Sequence, residues 1–167
     1  MAVVRMALLA AALAGPAAAQ DAPAPDGYDP RVLDACHAAR DGEARADCIG
    51  IAASLCLEGA LNGTAVAVAA CYAAEGAQWQ ARLDEALAAL RASAAATDDA
   101  APEGPRRADA LETAQSSWAA WREAECAWFA QGFHGEASAA AEAECAMEAT
   151  ARRALSLDAA RMAEQGP

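Results

Sequence analysis

Six cysteines, Cys36, Cys48, Cys56, Cys71, Cys126 and Cys145, constrain this chain more than any other feature. None of them forms the close C-x₂₋₄-C pair used by structural zinc sites. An even cysteine count in an exported chain reads as a disulfide framework. Export is expected from the N-terminus. Arg5 precedes the apolar run Met6–Gly15, then come Pro16 and the small residues Ala17, Ala18 and Ala19. The run is too short to span a bilayer, which takes roughly 20 residues. Residues 1–19 therefore read as a secretory signal peptide cut after Ala19, and a periplasmic or secreted location follows. No cysteine stands at the cut to carry a lipid, and no later stretch is apolar enough to insert in a membrane. Residues 20–28, with their prolines and aspartates, are expected to form a disordered lead.

Alanine explains why such a chain needs covalent restraint. It supplies 56 of the 167 residues. Alanine favours helix but brings little apolar area to a core. No alternating β-type pattern appears, so the expected fold is all-α: a small, disulfide-stapled bundle or array of about five helices. Asp29-Pro30 predicts a cap and first helical residue for a helix to about Ala39, ended by Asp41-Gly42. A second helix is predicted to carry Cys48, Ile51, Leu55 and Cys56, with breaks at Gly59 and Asn62-Gly63. Thr64 then caps a third helix running to about Ala95. Its residues Trp79, Leu83, Leu87 and Leu90 fall on one stripe. Residues 97–107, with two prolines, read as a solvated linker.

The fourth helix opens on Asp109 and Glu112 at capping-box spacing. Leu111, Ala114, Trp118, Trp121 and Trp128 follow at helical steps, so the tryptophans are expected in the core. A fifth helix is predicted from about Ser138 to Met162, with Met147, Ala151, Ala154, Leu155, Asp158 and Met162 near one face. Residues 29–96 thus form a cysteine-rich helical part and 108–163 a helical hairpin, with 29–163 as one domain.

The net charge is −12 at pH 7, and every basic residue is arginine. Such an acidic surface disfavours nucleic acid and favours cationic partners.

The run from Ala114-Gln115 through Trp118, Trp121-Arg122 and Cys126 resembles the signature of the LprI-type lysozyme inhibitor family. In that family a glycine-containing turn, a second cysteine and a threonine–arginine tail follow. Here they are Gly132–Gly135, Cys145, Thr150 and Arg153. The segment Cys48-Ile49-Gly50, Cys56, Cys71, Glu75 and Trp79 resembles one subgroup. Leu83–Leu87 departs from the family, lacking its usual asparagine and tyrosine. The resemblance implies a periplasmic helical domain, a basic lysozyme-like partner and a structural role for Gln115, Trp118, Trp121, Arg122, Thr150 and Arg153. It also implies a Cys126–Cys145 bond. For the other four cysteines, Cys36–Cys48 and Cys56–Cys71 rank first, because each joins neighbouring helices. Six cysteines allow 15 connectivities, so the others stay open. Cys48 with Cys56 is excluded if both ride one helix, since eight residues rise about 12 Å.

Catalytic chemistry finds little material. The two histidines are His37 and His134, and no Gly-x-Ser-x-Gly elbow is present. Neither a metal nor another cofactor is expected, and the chain is not read as an enzyme. Glu123, Glu125, Glu142 and Glu144 read as solvated faces, and Arg122 as the partner of a carboxylate on a neighbouring helix. The candidate binding element is the loop Gln131–Glu136, carrying Phe133, His134 and Glu136 between Cys126 and Cys145. A loop closed at its base is pre-organised for binding. The leading expectation is inhibition of a lysozyme-type cell-wall hydrolase. The alternative is a structural or envelope-stress interaction protein without that activity.

Overall fold

The computed structural model describes residues 24–59 and 63–166; the signal peptide expected over 1–19 lies outside them. The described residues form five α-helices: α1 (Pro30–Ala38), α2 (Ile51–Gly59), α3 (Ala65–Ala100), α4 (Arg107–Ala130) and α5 (Glu136–Gln165). A 3₁₀ segment, Gly42–Cys48, joins α1 to α2. No strand occurs among the described residues. The all-α, disulfide-stapled class expected from the sequence is the observed one.

Local chemistry sets the helix starts. The Asp29 side chain accepts from the Arg31 amide at 3.0 Å, with Pro30 at the first helical position. The Thr64 hydroxyl accepts from the Ala67 amide at 3.2 Å and opens α3. At 36 residues, α3 is the longest element; it runs about 54 Å at the helical rise. Helix α5 packs along it in the largest interhelical contact of the molecule. Small residues allow the approach: a Cβ added to Gly76 would stand 3.5 Å from the Met147 Cβ.

The core lies along that seam. Trp79, Leu83, Leu87 and Leu90 are buried, as their spacing predicts, against Met147, Ala151, Ala154 and Leu157 of α5. Leu33, Cys36, Cys48 and Ala52 close the core from the N-terminal side. Met162, expected on the inner face of α5, is exposed. The disulfides are Cys36–Cys48, Cys56–Cys71 and Cys126–Cys145, with Cα separations of 5.8, 5.8 and 5.5 Å. On the chain-entropy argument each contributes about 3 kcal/mol.

Two predicted boundaries move. Cys48 ends the 3₁₀ segment instead of riding α2; Gly50 turns the chain at φ +84°, and α2 starts at Ile51. The argument that Cys48 and Cys56 share a helix therefore fails, although they are not bonded to each other. The expected linker is also shorter, because α3 continues to Ala100. The cause is Asp98. Its buried carboxylate accepts from the amides of Arg107 and Ala108 at 2.8 and 3.1 Å, capping α4 from the preceding helix. These amide bonds hold its pKa below the ordinary aspartate value. The predicted capping box is not formed: Glu112 pairs with Arg91 at 2.5 Å.

A buried carboxylate clasps the N-terminal part to α3. Glu75 is fully buried and accepts from the Gly50 amide at 2.6 Å, the Ala53 amide at 2.8 Å and the Trp79 indole at 2.9 Å. The first two donors are free amides at the start of α2, where negative charge is favoured. The expected lead is also partly ordered. Pro25–Tyr28 form a turn, and the Tyr28 hydroxyl donates to Gln78 Oε1 at 2.7 Å.

Candidate functional site

The hairpin of α4 and α5 carries the signature residues, and most of them meet between the helices. Gln115 Oε1 accepts from Arg153 Nε at 3.1 Å. Arg122 donates to the Thr150 hydroxyl at 3.1 Å and to Gln80 Oε1 at 3.5 Å. Thr150 in turn donates to the Ala146 carbonyl at 2.7 Å. The Trp118 ring has the Arg122 and Arg153 guanidiniums at 5.1 and 5.7 Å from its centroid. Cation–π attraction of this kind contributes about 0.5–2 kcal/mol per pair. Arg122, expected to meet a carboxylate, instead binds a buried hydroxyl, an amide and a ring. These contacts tie α4 to α5 and to Gln80 of α3.

The other tryptophans do not join it. Trp121 and Trp128 are 53% and 65% exposed, Phe129 and Phe133 41% and 42%. The expectation of a tryptophan core along α4 is thus corrected for Trp121 and Trp128. Helical phase is the reason. The inward line runs through Leu111, Gln115, Trp118, Arg122, Cys126 and Ala130. Trp121 and Trp128 lie within about 20° of each other at 100° per residue, and roughly 60–80° round the helix from Trp118.

These aromatics form one continuous face. Between α4 and α5 is a hollow of about 320 Å³ lined by Trp121, Phe129, Glu125, Glu144, Glu148 and Arg152, among others. A second hollow shares Phe129 and adds Trp128 and Phe133. A third shares Phe133 and Glu144 and reaches Tyr72. Phe129 and Phe133 are in contact, with ring centroids 5.4 Å apart.

The face is negative. Glu144 accepts from the Tyr72 hydroxyl at 3.2 Å, and Glu148 has Arg152 at 3.4 Å as its nearby cation. Burial, then the Glu144 charge, raises the Tyr72 pKa above the ordinary tyrosine value. Exposed aromatic rings rimmed by carboxylates can bind a protein surface bearing arginine or lysine.

The loop residues singled out from sequence sit at one end of this face. Phe133 belongs to it; His134 and Glu136 are exposed beside it. The loop is a tight turn, with Phe133 N donating to the Ala130 carbonyl at 3.1 Å and Ser138 Oγ to the same carbonyl at 3.1 Å. Sequence reasoning missed Trp121, Trp128 and Phe129 as surface residues. Phase relative to Glu125 gives no signal for them, since Glu125 and Phe129 each lie within about 20° of the inward Trp118 at 100° per residue. His37 lies edge-on to Trp79 at 6.0 Å, and Cys36 is disulfide-bonded, so these neighbours form no metal pair. Among the described residues, no helix is long and apolar enough to cross a membrane.

The family model described as lysozyme inhibitor LprI matches residues 56–157. A relative in Rhodobacter capsulatus, described as an uncharacterized 17.7 kDa protein in the puhA 5′ region, is 30% identical over 119 residues. That alignment covers 68% of this chain and 74% of the relative. No solved structure matches the chain at a significant level. On the extent of these matches, the chain belongs to the LprI lysozyme inhibitor family.

Proposed function

We propose that this protein is an extracytoplasmic inhibitor of a basic, lysozyme-type cell-wall hydrolase, and that it binds through the aromatic–acidic face of α4 and α5. The observation that carries the reading is the set of four exposed aromatic rings, Trp121, Trp128, Phe129 and Phe133, rimmed by carboxylates on a disulfide-closed hairpin. Binding hot spots are enriched in tryptophan, and a rigid scaffold lowers the ordering cost of association. Lysozymes of the C type are strongly basic, so the −12 charge would speed encounter by steering. Inhibition by occlusion asks for no catalytic residue in this chain. His134 and Glu136 act as the rim of the face, with Trp121 and Trp128 as its anchors.

A lysozyme turbidity assay with purified mature protein tests this reading. Inhibition is expected, weakening as salt rises. Trp121→Ser with Trp128→Ser should abolish it, while His134→Ala with Glu136→Ala should weaken it less. Complete lack of inhibition at tens of micromolar, the scale of weak complexes, would overturn the function. Full inhibition by the double tryptophan variant would overturn the surface.

A further inference from the structure

Two ridges of side chains flank the hollow between α4 and α5. Trp121, Glu125 and Phe129 form one on α4, and Glu144, Glu148 and Arg152 the other on α5. Each set is spaced by four residues, which aligns it along one side of its helix. The small Cys145 and Ala149 complete the lining. The Cys126–Cys145 disulfide and the Arg122–Thr150 hydrogen bond fix the antiparallel register. That register sets Glu125 opposite the turn between Glu144 and Glu148, so three carboxylates gather in one stretch of the hollow beside the aromatic rings.

Their charge is not cancelled. Arg152 is the one cation in the lining, and it pairs with Glu148 at 3.4 Å. Among the described residues no cation pairs with Glu125 or Glu144, and the bond that Glu144 accepts comes from the neutral Tyr72 hydroxyl. Glu125 and Glu148 are exposed and Glu144 is half-buried, so all three are open to a ligand. The fold also shows what its tryptophans accept. Arg82 lies 5.8 Å from the Trp79 centroid, and Arg122 and Arg153 flank Trp118. Among the described residues no guanidinium stacks on Trp121.

We infer, resting on the reading of α4 and α5 as the inhibitory face, that their hollow is a guanidinium pocket. It receives one arginine side chain of a basic partner protein between Trp121 and the carboxylates of Glu125 and Glu144. A guanidinium suits it better than an ammonium, being flat, more weakly hydrated, able to stack on an indole and forked toward carboxylates. An anionic group would be repelled, and a neutral one would leave the carboxylates without a counter-charge.

The test uses the ¹⁵N-labelled mature protein, with N-acetyl-arginine amide as the probe at matched ionic strength. The chain has four tryptophans, so their indole N–H signals report separately, and a Trp121→Phe variant assigns the Trp121 signal. That signal should shift saturably, with a dissociation constant on the order of millimolar for one exposed side chain. The signal of buried Trp79 should stay in place. N-acetyl-citrulline amide, neutral and nearly the same shape, should leave Trp121 unmoved, and N-acetyl-lysine amide should bind more weakly than the arginine probe. Glu125→Gln combined with Glu144→Gln should weaken arginine binding roughly tenfold, whereas Arg152→Gln should tighten it roughly threefold by releasing Glu148. Opposite signs within one pocket separate a charge effect from damage to the fold.

No saturable shift, or an equal response to the citrulline or lysine probe, would overturn the pocket. Unchanged binding in the double glutamine variant would overturn it equally. The lysozyme assay tells this failure from failure of the inhibitory reading. Inhibition by a wild-type protein whose Trp121 ignores the arginine probe removes the pocket and leaves the inhibitor. A response to the probe without inhibition of lysozyme removes the inhibitor and leaves the pocket to another basic partner.

Discussion

Replacing Glu75 by glutamine changes one atom and tests the clasp between α2 and α3. Oε1 accepts from Gly50 and Trp79, and Oε2 from Ala53. A glutamine in the same pose keeps its carbonyl for Gly50 and Trp79 and turns its NH₂ against the Ala53 amide, donor against donor. Flipping the amide is worse, because two donors then lose their acceptor. Loss of one bond to a charged acceptor costs about 1.5–3 kcal/mol, and the buried unpaired donors about 1–3 more. The expected loss for Glu75→Gln is therefore about 3–5 kcal/mol. At roughly 2–4 °C per kcal/mol for a chain of this size, the melting temperature should fall by about 6–20 °C. Trp79→Phe is the partner variant, since it removes the indole donor but leaves an aromatic ring. A double-mutant cycle followed by thermal and urea unfolding should give a coupling of about 1 kcal/mol between the two sites. Because Cys56–Cys71 still ties α2 to α3, the defect should appear as earlier melting, not as detachment of α2. A Glu75→Gln protein within about 1 kcal/mol of wild type, the ordinary scale of a neutral hydrogen bond, would refute the clasp.

Alkaline titration gives a second check. Burial first, then neighbouring negative charge, raises the pKa values of both tyrosines, Tyr28 and Tyr72. Folded values above the unfolded value of about 10 mean that this stability is complete below pH 10 and lost as pH rises through the folded values. Phenolate absorbance should lag behind a free tyrosine standard until the helices melt; a step at the standard's position with circular dichroism intact would refute it. The tryptophans of α4 should separate into two kinds. Trp118→Ala, which removes the ring between two guanidiniums, should cost about 2–3 kcal/mol, whereas Trp121→Ser should stay within about 1 kcal/mol. Equal losses in chemical unfolding would restore Trp121 to the core.

How far the fold can be read in advance depends on contrast around each helix. In α3 the large residues Trp79, Leu83, Leu87 and Leu90 stand among alanines and charges, so their phase is unmistakable. Helix α4 lacks that contrast. Its inward line includes Gln115 and Arg122, polar side chains satisfied only by Thr150, Arg153 and Gln80 from other helices. Its outward line carries the larger aromatics, so a hydrophobicity pattern assigns the wrong face. The end of α3 fails for a related reason. Asp98 reads as a solvated linker residue until the start of α4 folds back and presents its free amides. The partners of Arg122 lie 28 and 42 residues away and those of Asp98 on the next helix, so local composition carries no record of them. The cysteines suffer less from this, since joining neighbouring helices demands only short loops.

The scaffold also separates the signature residues by role. Gln115, Arg122, Thr150 and Arg153 form hydrogen bonds across α4 and α5, Trp118 is stacked against two of them, and Cys126–Cys145 closes the hairpin. Packing accounts for each of those positions. It does not account for Trp121, which belongs to the same signature but is 53% exposed and lines the acidic hollow with Phe129. An exposed indole adds little to the stability of the free hairpin and leaves apolar area in contact with water. Its contribution is therefore expected only where that area becomes buried, against a partner. Trp121 joins the structural part of the hairpin to its proposed binding face, because Arg122, the next residue, is anchored inward and fixes the direction in which Trp121 points outward.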